Sequence, residues 1–314
     1  MNDLNINFPL DKFEKLIIDI GWESLDDWIN FWNDQNNILS LDKFWKNKVN
    51  DDWIWGLALP LLSQAYKFQS NFSDRKIIGI SALPGTGKTT LGKWLEAISL
   101  KLNFKIAVIS IDDFYLPSDE MELVIKNNPW NVSRGFPGSH SIKLMHEKLF
   151  SWKINGELNV PVFDKSLRNG LGDRSHWRSD KPDLLILEGW FLGIEPITID
   201  VNNQSTKSLK LSFQESSYRL TIQKNLHKYL DVWSLIDNIW HLKPIKFEYM
   251  NIWKSNQEHE MFLQKGNALQ DEKLTNFLRM LNVSIPHKSF DNINSYALLL
   301  IDQGRNLVES GLNL

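Results

Sequence analysis

Six residues without a charge, Ile77 to Ala82, run straight into Leu83-Pro84-Gly85-Thr86-Gly87-Lys88-Thr89-Thr90. An uncharged run of this length suits a strand buried on both faces, and the glycines after it allow backbone N–H groups to crowd around phosphates. Pro84, Gly85, Thr86 and Gly87 form the cradle, with Lys88 as a point charge for the outer phosphates. Thr89 offers a hydroxyl to a magnesium ion, and Thr90 continues into a helix whose positive end faces the same anion. Ala82 stands where the usual pattern opens with Gly. The chemistry is that of a nucleoside triphosphate site.

Further groups stand at other predicted strand ends. The run Ile109-Ser110-Ile111 closes on Asp112-Asp113, either of which could orient an acceptor hydroxyl and take its proton, or could cap the segment that follows. Leu184 to Leu187 closes on Glu188, a second position from which an acid could organise magnesium, and Gly189 lets the chain turn. Between them, Pro161 to Arg174 contains Asp164, Lys165, Arg168, Asn169, Gly170, Gly172 and Arg174, the composition of a lid whose cations neutralise phosphate charge on closing. A solvated surface loop has the same composition. Upstream, Arg134 and His140 sit in a polar loop, where a guanidinium could grip a small anionic acceptor.

Strands and helices must alternate to bring these groups together. The predicted order is strand 77–82, helix 89–102, strand 105–111, an irregular stretch 116–139, helix 142–150, the basic segment, and strand 183–187, with a largely helical pattern after about residue 215 that has helical spacing at 226–237, 253–264 and 271–281. That order predicts an α/β fold with a doubly wound parallel sheet and its ligands at the carboxyl ends of the strands. Residues 1–74 read as a helical N-terminal layer on a body spanning 75–314, with Ser24 as an N-cap. Trp22, Trp28, Trp32, Trp45, Trp53 and Trp55 have the spacing of buried helix faces.

Composition limits the partners. The chain has 314 residues, 42% of them apolar, and a net charge of -3 from 35 basic and 38 acidic side chains, which gives no basic footprint for nucleic acid. Cysteine is absent, so disulfides and thiolate metal sites are excluded. No apolar run approaches the roughly 18 residues of a membrane span, and Met1 to Leu10 lacks the features of a secretory signal, so the expected location is cytoplasmic.

Together these segments resemble the D-glycerate 3-kinase family, a branch of the phosphoribulokinase and uridine kinase superfamily of P-loop kinases. The resemblance rests on Ser81 to Thr90, Ser110 to Leu116, Arg134-Gly135 with Pro137 to His140, Phe163 to Ser166, Gly170 to Arg174, and Leu187 to Trp190 with Gly193; Trp253-Lys254 and Gln257 to Glu260 extend it. It covers about residues 75 to 285, and departs at Phe163, Lys254 and Ser141, where Tyr, Arg and Asp are usual. It implies a P-loop NTPase fold and ATP- and magnesium-dependent phosphorylation of D-glycerate to 3-phosphoglycerate, a step of photorespiration in photosynthetic organisms. In that reading Asp112 is the general base, Thr89 and Glu188 organise magnesium, and Asp113 caps or binds the metal. Arg168 and Arg174 are lid cations, toward nucleotide and transferring phosphate respectively, while Arg134, His140, Asp164 and Lys165 face the acceptor. Another acceptor of the superfamily (a nucleoside, pantothenate or ribulose phosphate) and a non-catalytic ATP-binding regulator are the competing readings; intact Lys88, Thr89, Asp112 and Glu188 weigh against the second.

Overall fold

Strand β1, Ile77–Ala82, is buried along its whole length, and its side chains divide between two cores. Ile78, Ile80 and Ala82 face one apolar cluster and Ile77 the other, so the strand needs helices on both sides. The computed structural model describes residues 6–35, 50–69, 74–199, 210–266 and 268–313. Its main sheet adds β2 (Ile106–Ser110), β5 (Leu184–Gly189), β6 (Asn238–Pro244), β7 (Ala297–Ile301) and β8 (Leu307–Leu312) in the order β2-β5-β1-β6-β7-β8. All neighbours are parallel except β7 and β8. The fold is the expected α/β sheet wound on both faces.

Three of these six strands fall in the stretch expected to be largely helical. Each is only five to seven residues long and lies among longer helical patterns, so the strand signal was local and weak. The helical spacings at 253–264 and 271–281 do fall within helices Tyr249–Lys265 and Asp271–Val283. The expected helix 226–237 instead is the end of Phe213–His227 and a separate short turn, Leu230–Trp233. The stretch expected to be irregular holds a helix, Ser118–Ile125. The lid segment is the turn region of an antiparallel ribbon of β3 (Leu158–Asp164) and β4 (Asp173–Asp180), separate from the main sheet.

On one face, helix α1 (Asp11–Ile20), α2 (Leu25–Asp34), α3 (Leu59–Phe68) and α4 (Lys88–Lys101) contribute to one core. Ser24 caps α2 by accepting the Asp27 N–H. Trp28 and Trp32 both donate to the buried Ser63 hydroxyl, at 2.8 and 3.0 Å, and Trp240 on β6 donates to Gln64 at 2.8 Å. These bonds tie the N-terminal helices to the sheet. Trp53 and Trp55 are buried and Trp22 packs at the edge of the cluster, while Trp45 lies outside the described residues.

The second core lies under α5 (Ser118–Ile125), α6 (Ile142–Asn155), α7 (Phe213–His227) and α9 (Asp271–Val283), while α8 (Tyr249–Lys265) gives Met250 to it and Trp253 to the first core. One buried acid joins several of its parts. Glu215, in the capping box of α7, accepts from Ser212 N–H at 2.8 Å, from Trp130 Nε1 at 3.0 Å and from Arg279 at 2.7 and 2.8 Å. Burial works to raise its carboxyl, but Arg279 and these donors override it and bring it down to about 2.

A folded-state value below the unfolded one means that the carboxylate stabilises the fold above the ordinary Glu range, and that this is lost as pH falls toward about 2. Glu215→Gln is therefore expected to cost about 3 kcal/mol at neutral pH, with the gap to the parent protein shrinking to about half by pH 3. Urea unfolding of both proteins at the two pH values measures it. A gap that does not change with pH would rule out ionisation of Glu215 as its source.

Candidate active site

The loop after β1 turns back on itself through two left-handed glycines, Gly85 at φ +80° and Gly87 at φ +105°. A Cβ at Gly85 would also lie 2.6 Å from the backbone carbon of Trp253, so α8 closes over the loop too tightly for any side chain. Gly87 caps α4, whose first turn holds Lys88, Thr89 and Thr90 and presents N–H groups that have no acceptor within the helix. The buried Thr86 hydroxyl donates to the Leu83 carbonyl and fixes the loop from inside. Lys88 folds back to donate to the carbonyls of Ala82 (2.6 Å) and Leu83 (3.1 Å), with its ammonium 4.0 Å from the Glu188 carboxylate. Burial pushes the Lys88 ammonium down and the Glu188 carboxyl up, and each is partly restored by the other.

At the end of β2, the chain enters a tight turn, Ile111–Phe114, that separates the two adjacent acids. Asp113 turns back and accepts the Ser110 N–H at 2.9 Å while the Ser110 hydroxyl accepts from Asp112 N–H, a capping box. Burial pushes the Asp113 carboxyl up. Asp112 projects the other way. It accepts from the Tyr115 hydroxyl and from the Lys165 ammonium, each at 2.7 Å, and lies 3.9 Å from His140 Nε2. Burial works against its charge, but Lys165 and His140 prevail and hold it well below the usual carboxylate range.

His140 is fully enclosed, stacked on Tyr115 with ring centroids 4.5 Å apart. The Tyr229 oxygen accepts from Gly138 N–H at 3.0 Å and lies 2.8 Å from His140 Nδ1. The Tyr229 oxygen keeps a second lone pair beside the Gly138 bond and shares one hydrogen bond with Nδ1, and Nε2 is the ring nitrogen that faces Asp112. Burial pushes the imidazole below its ordinary value, so the ring is neutral.

The remaining expected residues line the ribbon. Lys165 is at its turn and more than half exposed (56% of the side chain); its enclosure within the site lowers the ammonium, but Asp112 outweighs this and raises it. Asp164 accepts from Ser166 N–H and hydroxyl at 2.8 and 2.6 Å, shaping the turn. Arg134 donates to the carbonyls of Gly170 (2.9 Å) and Leu171 (2.6 Å) and lies over the Phe163 ring, so it braces the ribbon from below. Arg174 donates to the Tyr115 carbonyl and the Ser141 hydroxyl. Arg168 pairs with Glu122 on α5 at 2.9 Å and is not drawn into the Asp112 cluster in this conformation.

The donor set near the loop is all oxygen: the exposed Thr89 hydroxyl and the Glu188 and Asp112 carboxylates. No cluster of three or more protein ligands occurs among the described residues. Hard oxygens in small number fit a magnesium ion that is held largely by nucleotide phosphates.

Two contributors escaped the sequence reading. Tyr115 lies within the Ser110 to Leu116 motif, and its position three residues after Asp112 in a tight turn is the signal that points to it. Tyr229 gave none, being 89 residues from the histidine it orients. Lys254, noted only as a departure, bonds to Glu258 and lies over the Phe277 ring beside the loop that α8 covers.

No protein-family model matches the chain. An uncharacterised kinase of Schizosaccharomyces pombe, mug58, is 30% identical over 213 residues, covering 64% of this chain and 76% of that protein. A chloroplastic D-glycerate 3-kinase of Arabidopsis thaliana is 28% identical over 278 residues, 82% of this chain and 59% of its own length. Among solved structures, a D-glycerate 3-kinase of Cryptococcus neoformans matches with a TM-score of 0.66 at 23% identity, over 81% of this chain and 99% of that one, a likeness of fold.

Removing the loop ammonium tests the phosphate site. Lys88→Ala is expected to lower phosphoryl-transfer turnover by about 100-fold or more, because fixed charge supplies most of the catalysis of this reaction, with the thermal melt little changed. Steady-state kinetics beside a melt decides it, and a variant retaining more than about a tenth of the parent rate would remove Lys88 from the site. Asp112→Asn keeps shape and removes basicity; the expected loss is in kcat, on the order of 100-fold, with the KM for ATP nearly constant. If Asp113→Asn were the more damaging change, the roles of the two acids would be exchanged.

Proposed function

The chain is a P-loop kinase related to the D-glycerate 3-kinases, and on that premise we propose that it uses ATP to phosphorylate D-glycerate to 3-phosphoglycerate. The observation that carries the reading is Asp112, an ionised carboxylate at the end of a strand beside the Glu188 strand, with a mobile-length cation, Lys165, reaching it from the ribbon. A kinase of a small hydroxy acid needs a base at one end of the acceptor and a cation for its carboxylate at the other.

In this reading Gly85 to Thr90 receive the phosphates, and Lys88 moves from the loop carbonyls to the outer phosphate oxygens. Magnesium, carried on the phosphates, would be held by Thr89 and Glu188 and supplies charge neutralisation there. Glycerate enters beneath the ribbon. Lys165 exchanges Asp112 for the acceptor carboxylate, which frees an oxygen of Asp112 for the reacting hydroxyl. That hydroxyl gives its proton to Asp112 while its oxygen bonds to the γ-phosphorus, and the bond to the β–γ bridging oxygen breaks to release ADP. Tyr115 keeps its hydrogen bond to Asp112 and orients it. Arg134 supports the ribbon turn through Gly170 and Leu171, so its effect on acceptor binding is through the position of Lys165.

A screen with ATP and D-glycerate, uridine, pantothenate and ribulose 5-phosphate tests the acceptor directly. D-Glycerate is expected to be preferred by about 100-fold or more, with glycerol, which lacks the carboxylate, poorer by about a thousandfold. Faster turnover of another acceptor would overturn the assignment. For the clamp, Lys165→Met is expected to raise the KM for glycerate by about tenfold or more, the loss of one charge-assisted hydrogen bond, and to leave that for ATP within about twofold. An unchanged glycerate KM would move the carboxylate site away from the ribbon turn.

A further inference from the structure

A cavity of about 310 Å³ opens beside the carboxyl ends of β1 and β6 and belongs to neither the phosphate cradle nor the Asp112 cluster. Its floor is the start of the loop, Ser81 to Leu83, and its walls include Trp190, Phe247, His287 and Phe290. Trp190 and Phe290 belong to the second core, whereas α4, which carries the phosphate-facing N–H groups, packs into the first; the cavity therefore lies across the sheet from the phosphate helix.

Two polar groups line it, and one of them lacks a partner. Ser81 is 1% exposed, its hydroxyl has no hydrogen bond, and it stands opposite His241 in the β1–β6 register. The His241 ring is buried in the lining beside it. Burial, reinforced by Lys243, pushes that imidazole down to about 4, so it is neutral. A buried hydroxyl left unbonded is costly unless something else bonds it.

The charges around the cavity cancel. Lys243 is paired with Asp291 at 2.6 Å, and Lys246 and Glu248, both exposed at the opening, carry one charge of each sign. A net charge on a ligand would gain nothing here and would lose its hydration. Four ring systems instead offer flat apolar faces, two of them already stacked, Phe247 on His287 with centroids 3.9 Å apart.

We propose that this cavity is a second ligand site, taking a neutral planar heteroaromatic molecule of one or two rings whose polar edge is hydrogen-bonded by Ser81 and His241. The site adjoins Ala82 and Leu83, whose carbonyls hold Lys88, so its occupant touches the loop from the side away from the nucleotide. It is independent of which acceptor the kinase uses.

Benzimidazole is a suitable probe, being a neutral planar bicycle with one N–H donor and one ring acceptor. Calorimetric titration of the full chain is expected to show binding that saturating ATP and D-glycerate leave unaltered, with benzoate, planar but charged, binding at least about tenfold more weakly. Ser81→Ala should weaken benzimidazole by about fivefold, the usual effect of one hydrogen bond. Ile245 lines the opening and is 49% exposed, so Ile245→Trp fills the entrance without disturbing the core and should weaken binding by about tenfold or more with an unchanged melt. The proposal is overturned by no binding at millimolar probe, by displacement with ATP or D-glycerate, or by an affinity unaffected in both variants.

Discussion

Everything in the candidate site depends on the insertion of β5 between β1 and β2. In that pairing Glu188 stands opposite Ile80 on one side and Ser110 on the other, so one register fixes an acid, the start of the phosphate loop and the turn carrying Asp112 along a single edge. Parallel pairing makes all three strands end at that edge. The apolar residues that hold the register, Ile78, Ile80, Leu185 and Leu187, are buried on both faces, and slipping it by one residue would exchange their faces. The charged groups are thus placed by apolar packing beneath them.

That placement also separates their protonation. Lys88 and Glu188 are each driven toward neutrality by burial, whereas Asp112, equally enclosed, is kept ionised because Lys165 and His140 face it. Carboxyls at neighbouring strand ends therefore differ in opposite directions from their ordinary value. Such a division suits a site where one acid must accept a proton and another must sit beside a cation.

Legibility in the sequence followed the range of the interactions involved. The phosphate loop and Glu188 could be read because each is encoded in a few consecutive residues with a strand in front. The two aspartates could be read as candidates and were told apart only through the resemblance, since the difference lies in a capping box that turns Asp113 back onto Ser110. Arg134 illustrates the opposite limit. Its type suits an anion clamp, and its Nη1 also donates to carbonyls 36 and 37 residues away in the ribbon turn, a contact no local pattern announces. The strands β6 to β8 were hidden for a related reason: their pairing partners are distant, and short apolar runs have no period that separates strand from helix.

The ribbon is where fold and chemistry meet. Its base is held by Leu158 and Val160 in the second core and by Arg178 on Glu96, while its turn reaches the body through polar contacts: Arg134 at the turn, Arg174 on the Tyr115 carbonyl and the Ser141 hydroxyl, Arg168 on Glu122, and Lys165 on Asp112. Every one of these turn contacts is a cation reaching a carbonyl, hydroxyl or carboxylate, and two of them, Arg168 and Lys165, are ion pairs with substantial exposure. Exposed pairs of this kind are worth little individually, about 0–1 kcal/mol, so they can be exchanged for phosphate or carboxylate oxygens at small cost. The contacts on backbone, from Arg134 and Arg174, do not compete with an anion for the same oxygen atoms and can persist while the others exchange. The ribbon therefore has fixed points on neutral acceptors and releasable points on acids, and its releasable point at Asp112 is the atom group that must be freed for proton transfer. Arrival of an anionic acceptor and exposure of the base become one event.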